Sequence, residues 1–248
     1  MLHLGKQSQI SPMQGRTLHS SLKILLHPPS CLYLLAAMGN MCTCGDIPQA
    51  KAETLKELTL NGVIVSLARG NPASETSDVI MLCLDGNLHP TGPAASVTLK
   101  AAGVGVAQRI KEKWREGGLA PGTVFVTDAG KLAASEILHV VCPEEASVQA
   151  VQGVYAAIIA EVVRRGHQTA VITPLQASEE VPLAKQAELC IQVLAETLRS
   201  KKSHKVQRIR LVTPTMEVAR AFEQEFDRYF PKWIHSKPEV HLSKPISN

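Results

Sequence analysis

Three cysteines and a histidine near the start of the chain come closest to a metal-binding set. Cys42 and Cys44 are separated by one residue, and Cys31 and His27 lie shortly before them. Thiolate and imidazole groups bind zinc, but this spacing matches no standard zinc motif. We therefore predict no metal ligands and no cofactor for this chain.

Two other side chains have the chemistry of acid–base catalysis. Asp85 could act as a general base, but the sequence offers it no paired residue. His139 stands in the middle of an apolar run, where a histidine is more often a buried core residue than a catalytic one. We predict no catalytic residue, and the residues favour a protein that is not an enzyme.

Charge and cysteine placement indicate which partners and which cellular location to expect. Formal net charge is +4, and basic residues are dispersed among acidic ones, so there is no strong nucleic-acid signal. Cys83, Cys142 and Cys190 lie in apolar runs, which is typical of buried, reduced thiols and predicts a cytoplasmic or nuclear protein.

The first part of the chain contains an apolar stretch, 22–38, that is interrupted by His27, Pro28 and Pro29. A membrane-spanning helix needs about 20 consecutive apolar residues, so we predict no membrane partner. We interpret 1–57 as a poorly ordered N-terminal extension. A cleaved signal peptide is the alternative, since small residues follow the apolar stretch.

The elements that would position a site are clearest in residues 121–143. Two short apolar runs flank Asp128 and Gly130, and this pattern predicts two buried strands around a tight turn in which glycine takes a positive φ. Further strands are predicted near 63–68, 78–84, 169–173 and 209–212, with helices near 94–114, 148–165, 183–198 and 218–229. Residues 51–58 are predicted to form a lead-in helix or linker.

This alternation predicts an α/β domain from 58 to 230, with a mixed, mostly parallel sheet between two helical layers, and a C-terminal tail at 231–248. Residues 121–143 also resemble the macro domains, in particular the macro repeats of poly(ADP-ribose) polymerase family members. The resemblance extends over about 60–230. Its matching positions are Gly122, Thr127, Ala129, Gly130, Leu132, Ile137, Leu138, His139, Val141 and Pro143.

The resemblance implies a three-layer α/β/α fold and a crevice for ADP-ribose at the carboxyl ends of the strands. A diphosphate needs convergent backbone N–H donors, which glycine-rich loops provide. The implied ligand-binding positions in this sequence are Asn71, Asp85, Gly92, Ala94, Ala177, Ser178 and Val181.

Several of these loops depart from the family pattern. Asn71 stands where the family has an acidic residue for adenine, and Leu82 and Asp85 replace two asparagines. Pro93 removes a backbone donor beside Gly92. Glu179 and Glu180 would face the diphosphate, and one like-charge contact at ~5 Å costs about 3 kcal/mol at an effective dielectric near 20.

We therefore expect a non-catalytic macro-like module that acts in protein interaction or in weak recognition of ADP-ribose and ADP-ribosylated proteins. A competent reader of mono- or poly-ADP-ribose is the first alternative. An ADP-ribosyl hydrolase is the second, and it ranks last because Leu82 and Asp85 remove the asparagines that its chemistry implies.

Overall fold

The computed structural model describes residues 50–115, 119–143, 147–175, 180–199 and 205–230. Strands and helices alternate through most of this part of the chain. The strands are β1 (Glu53–Leu60), β2 (Val63–Arg69), β3 (Ser77–Leu84), β4 (Val124–Asp128), β5 (Ala134–Val141), β6 (Thr169–Ile172) and β7 (Arg208–Thr213). The helices are α1 (Gly92–Ala102), α2 (Val104–Arg115), α3 (Val148–Arg165), α4 (Leu183–Arg199) and α5 (Met216–Tyr229), and a 3₁₀ turn covers Pro72–Ser74.

The described strands form one seven-stranded sheet in the order β1-β2-β7-β6-β3-β5-β4. The two outer pairs, β1 with β2 and β4 with β5, are antiparallel. All pairs between them are parallel, as expected for strands joined through helices. The prediction of a mixed, mostly parallel α/β sheet is therefore confirmed.

Two apolar cores lie on opposite faces of the sheet. Helices α3, α4 and α5 pack on one face, and α1 and α2 pack on the other. Strand β3 serves both cores, because successive side chains point to opposite faces. Val79, Met81 and Cys83 belong to the first core, and Ile80, Leu82 and Leu84 to the second. This two-sided burial explains the uninterrupted apolar run in the sequence.

Strand β1 was not predicted: the expectation of a helix or linker at 51–58 is wrong. β1 is an edge strand with mostly exposed or half-buried side chains, so its sequence lacks the apolar pattern of a core strand. It turns into β2 through Asn61 and Gly62, whose φ values of 50° and 85° suit a tight hairpin. The predicted domain boundary at 58 falls inside β1.

The turn between β4 and β5 is fixed by a close contact with the end of α1. Gly130 has a φ of 61°, which confirms the predicted positive value. A Cβ atom there would lie 2.2 Å from the carbonyl oxygen of Ala102. The N–H of Lys131 donates to the same oxygen at 3.0 Å. Glycine is therefore needed here for both its backbone conformation and its small size.

Among the helices that the structure describes, none is long and apolar enough to cross a bilayer. The interrupted apolar stretch at 22–38 and the tail at 231–248 lie outside the described residues.

Candidate functional site

The carboxyl ends of the parallel strands lie along one edge of the sheet, where α/β folds place their ligands. Asn71 follows β2, and Asp85 follows β3. The N–H of Gly70 donates to the carbonyl of Thr213 at the end of β7, at 2.9 Å. Asn71 and Asp85 share this edge, but two strands, β7 and β6, lie between the strands that they follow.

The Asn71 side chain caps the turn that follows it. Its Oδ1 atom accepts from the N–H of Ala73 at 2.9 Å, and its backbone oxygen accepts from Ser74 Oγ at 2.7 Å. Pro72 occupies the first position of the turn, where its missing N–H is not needed. Asn71 is only 5% exposed. The side-chain oxygen that the family resemblance places at the adenine position is thus engaged in the local turn.

Asp85 closes a tight turn after β3. Its Oδ1 atom accepts from the N–H groups of Asn87 at 2.9 Å and His89 at 2.8 Å. The other carboxylate oxygen lies 3.4 Å from Nδ1 of His89. The chain then folds back so that Leu84 and Pro90 form a β-bridge. These contacts describe a turn-stabilising carboxylate, although its side chain is still 36% exposed.

Gly92 and Ala94 lie in the first turn of α1. Gly92 has a φ of 70°, and its carbonyl accepts from Ser96 Oγ at 2.9 Å. Ala94 is buried, and its carbonyl accepts from Thr98 Oγ1 at 2.8 Å. Pro93 lies between them and has no N–H to offer. The start of α1 therefore has fewer backbone donors than a glycine run would have.

The loop after β6 is described in part. Ala177 and Ser178, together with Glu179, lie outside the described residues. Val181 is described, and its side chain is buried in the core under α3, α4 and α5. Its carbonyl accepts from Gln186 Nε2 at 2.7 Å. Whether these positions touch a ligand stays a prediction.

His139 lies on β5, in the core rather than at the edge. It is 0% exposed, and its ring stacks on Phe125 with 4.7 Å between centroids. Nε2 is 2.8 Å from Thr127 Oγ1. Burial lowers the pKa of His139 to about 3, so the ring is neutral at physiological pH. This is the core histidine that the sequence pattern predicted.

Comparison with known proteins identifies the architecture. No protein-family model matches this chain. An uncharacterized protein of Pyrobaculum aerophilum is 25% identical over 183 residues, which cover 71% of this chain and 97% of that protein. The macrodomain of Oceanobacillus iheyensis, solved with ADP, superposes with a TM-score of 0.66 at 16% identity, covering 74% of this chain and 100% of that one.

Two further solved structures agree. The macro domain of ganglioside induced differentiation associated protein 2 gives a TM-score of 0.61 at 16% identity, covering 68% of this chain and 85% of that one. The Trypanosoma brucei macrodomain in complex with ADP gives 0.56 at 16% identity, covering 64% and 67%. The fold is that of a macrodomain. The narrower relation to the polymerase repeats stays a prediction.

The described part of this chain also contains a polar cavity that the sequence did not predict. Its volume is 340 Å³, and it lies at the amino ends of β3, β6 and β7 beside the start of β1. Glu75 and Arg210 line it and form a buried ion pair, with Oε2 and Nε 2.9 Å apart. The two residues are far apart in the sequence, so no local pattern could reveal them.

A second unpredicted feature lies at the carboxyl ends of the neighbouring strands β3 and β5, where Cys83 and Cys142 belong to the same apolar core. Both are buried, as the apolar pattern predicted, but their place in one core was not predicted. Among the described residues no group of three or more His, Cys, Asp or Glu side chains could hold a metal ion. The candidate set at His27, Cys31, Cys42 and Cys44 lies outside the described residues.

Proposed function

We propose that this macrodomain-fold chain is a non-catalytic module for protein interaction or for weak recognition of ADP-ribose and ADP-ribosylated proteins. The proposal rests on the hydrogen bonds that the side chains of Asn71 and Asp85 make within their own loops. Each side-chain Oδ1 atom already accepts hydrogen bonds from N–H groups of its own loop. A ligand at this edge would therefore compete with these backbone N–H groups for the two Oδ1 atoms.

The class of ligand is inferred from similar structures. The Oceanobacillus iheyensis macrodomain was solved with ADP, and a Gly-to-Val mutant of it with ADPR. The Trypanosoma brucei macrodomain was solved with ADP. These proteins share the fold of this chain, which supports a nucleoside diphosphate or an ADP-ribosyl group as the ligand.

The weak affinity for ADP-ribose is expected from the loops that follow β3. A diphosphate is bound best by several N–H donors and few negative charges. In this chain Pro93 removes a donor beside Gly92, and Asp85 places a carboxylate at the same edge. One Asp85 carboxylate oxygen lies 3.4 Å from Nδ1 of His89, while the other accepts from the backbone N–H groups of Asn87 and His89 and so stabilises the turn. These features favour a binding module over a hydrolase.

The proposal is tested by calorimetric titration of the purified chain with ADP-ribose. We expect a dissociation constant weaker than about 10 μM. A tighter constant would support the competent reader instead. A separate incubation with an ADP-ribosylated protein should release no ADP-ribose, and catalytic release would support the hydrolase.

Two variants that remove a negative charge without changing side-chain size test whether the charge of Asp85 weakens ADP-ribose binding. In Asp85→Asn the side-chain oxygen can still accept from Asn87 and His89, but the negative charge is gone, so we expect tighter ADP-ribose binding. Glu196→Gln makes the same charge change on an exposed residue near the end of α4, at the opposite edge of the sheet. It should leave the affinity unchanged, and an equal gain in both variants would contradict a contact near Asp85.

Location in the cytoplasm or nucleus is part of the same proposal. It is supported by three buried cysteines that are free thiols in the described residues.

A further inference from the structure

The polar cavity beside the start of β1 is built over one face of the sheet. Arg208 and Arg210 are two residues apart in β7, so their side chains point to the same face. Val212 of the same strand contributes to the core under α1 and α2, which identifies that face. Arg208 is paired with Thr169 of β6, and Arg210 with Val171. All four of these paired residues line the cavity, so its floor is formed by β6 and β7.

One wall of the cavity is the buried ion pair, whose side chains are held by further hydrogen bonds within the protein. The side chains of Arg210 and Glu75 are 10% and 4% exposed. Arg210 Nη1 donates to Thr54 Oγ1 at 2.8 Å, and Nη2 donates to the carbonyl of Ala52 at 2.6 Å. Glu75 Oε1 accepts from the N–H of Ala52 at 3.1 Å. The wall is therefore preorganised before any ligand binds, and its two charges offset each other.

Two other cations at the cavity are available to a ligand. Arg208 and Lys51 line the cavity as exposed residues, and neither forms an ion pair with another described residue. Glu57 is an exposed carboxylate in the same lining. Since Glu75 and Arg210 offset each other, two cations remain against one carboxylate. The lining therefore carries one net positive charge, which favours an anion.

A hydroxyl donor lies beside the Arg208 guanidinium. Thr169 Oγ1 accepts from the N–H of Asp78 at 2.7 Å, and this bond does not use the hydroxyl hydrogen of Thr169. The Asp78 carboxylate lies at the same strand ends, but its Oδ2 accepts from the N–H groups of Gln168 at 2.6 Å and Thr169 at 2.9 Å. These two donors stabilise its negative charge. A guanidinium and a hydroxyl on paired residues of β7 and β6 can thus donate to one ligand.

We propose that this cavity is a second binding site, which takes small anions that carry a phosphate or a carboxylate group. Arg208 supplies a planar guanidinium whose N–H groups match the oxygens of either group. Lys51 adds a second positive charge, and Thr169 adds a hydroxyl donor. At 340 Å³ the cavity is at the lower end of the roughly 300–1,000 Å³ range of small-molecule sites, which suits a compact anion better than an ADP-ribosyl group.

The cavity is separate from the edge considered for ADP-ribose. Its lining residues lie around the start of β1 and at the amino ends of β3, β6 and β7. Asn71 and Asp85 follow the carboxyl ends of β2 and β3. Anion binding in the cavity therefore does not require ADP-ribose binding at the edge.

Nuclear magnetic resonance of the full-length, ¹⁵N-labelled chain locates the binding. The protein is titrated with inorganic phosphate and, separately, with succinate, and sodium chloride of equal ionic strength serves as the reference. We expect saturable shifts of the backbone amides of Ser77, Thr169 and Arg208, with a dissociation constant of about 1 mM. Shifts with one anion alone would identify the chemical group that is recognised. The proposal is overturned if neither anion shifts these amides, or if shifts are confined to the loops at Asn71 and Asp85.

A matched pair of variants tests the role of Arg208. Arg208→Gln removes the free guanidinium of the cavity, and Arg220→Gln removes an exposed arginine of α5, on the opposite face of the sheet. We expect the first variant to weaken binding of the anion by at least about tenfold and the second by less than about twofold. Equal affinities of the two variants would exclude Arg208 as the recognising group. The titration of the wild-type chain locates the site even if a variant fails to fold.

Discussion

Protonation of the buried His139 should make this fold sensitive to mild acid. The pKa of His139 is about 3 in the folded chain because burial disfavours the cation. Its ordinary value is about 6.5. Folding therefore releases a proton at mildly acidic pH. The stability contribution is fully present above about pH 6.5 and is lost as the pH falls toward 3.

The magnitude follows from the two pKa values. Between about pH 7.5 and about pH 5, linkage predicts a loss of roughly 2 kcal/mol in the free energy of unfolding. This figure changes little if the folded-state pKa is about one unit higher, since pH 5 would still lie above it. Glu136 and Glu161 have pKa values lowered by hydrogen bonds to Arg165 and Arg164, so their contributions are lost only below about pH 4.5.

The assay is urea unfolding of the wild-type chain and of His139→Gln at the two pH values. Glutamine cannot titrate, so the variant should lose about 2 kcal/mol less than the wild type between them. With a denaturant slope of about 2 kcal/mol/M, the difference corresponds to about 1 M in the midpoint shift. Equal losses in both proteins would refute the link between burial of His139 and acid sensitivity.

Two further substitutions test packing and charge, each against a matched control. Gly130→Ala places a Cβ 2.2 Å from the Ala102 oxygen and should cost more than about 2 kcal/mol of unfolding free energy, while Gly153→Ala on the exposed face of α3 should be neutral or stabilising by up to about 1 kcal/mol. Glu75→Gln leaves Arg210 buried without its counter-charge and should cost about 3–5 kcal/mol, whereas Glu53→Gln in the exposed pair with Arg69 should cost less than about 1 kcal/mol. Thermal and urea unfolding would measure all four changes, and equal effects of a substitution and its control would contradict the assigned contact.

The sequence predicted the strands that are buried on both faces and missed β1, one of the two edge strands; it also predicted the other edge strand, β4, but as a buried strand, whereas its side chains are half-buried or exposed. β3 could be recognised because alternate side chains pack into the two cores, so nearly every residue of the strand is apolar. β1 contributes Leu58 to a core, but the rest of its side chains are polar or partly exposed. Its strand conformation depends on pairing with β2 through the Asn61–Gly62 turn. This pairing leaves little trace in the sequence of β1 itself, so the strand could not be recognised from its residues.

For the candidate site, the sequence predicted where the residues lie but not where their side chains point. Sequence spacing placed Asn71 and Asp85 after strands, and the structure confirms those positions. The direction of their oxygens was not predictable, because it depends on the backbone torsions of the turns that follow. Once those turns form, N–H groups two residues ahead take the side-chain oxygens of both residues.

The loop that carries Asn71 is also held from its other end. Glu75 accepts from the N–H of Ala52 at 3.1 Å, and Arg210 Nη2 donates to the carbonyl of Ala52 at 2.6 Å. A Cβ at Gly70 would lie 2.6 Å from the Ala52 Cα, so the approach of β1 also requires glycine there. The Asn71 cap and the buried ion pair thus fix one loop against two strands. A ligand that needed this loop to rearrange would have to break both, which is the physical reason to expect weak recognition at the Asn71 end of the edge.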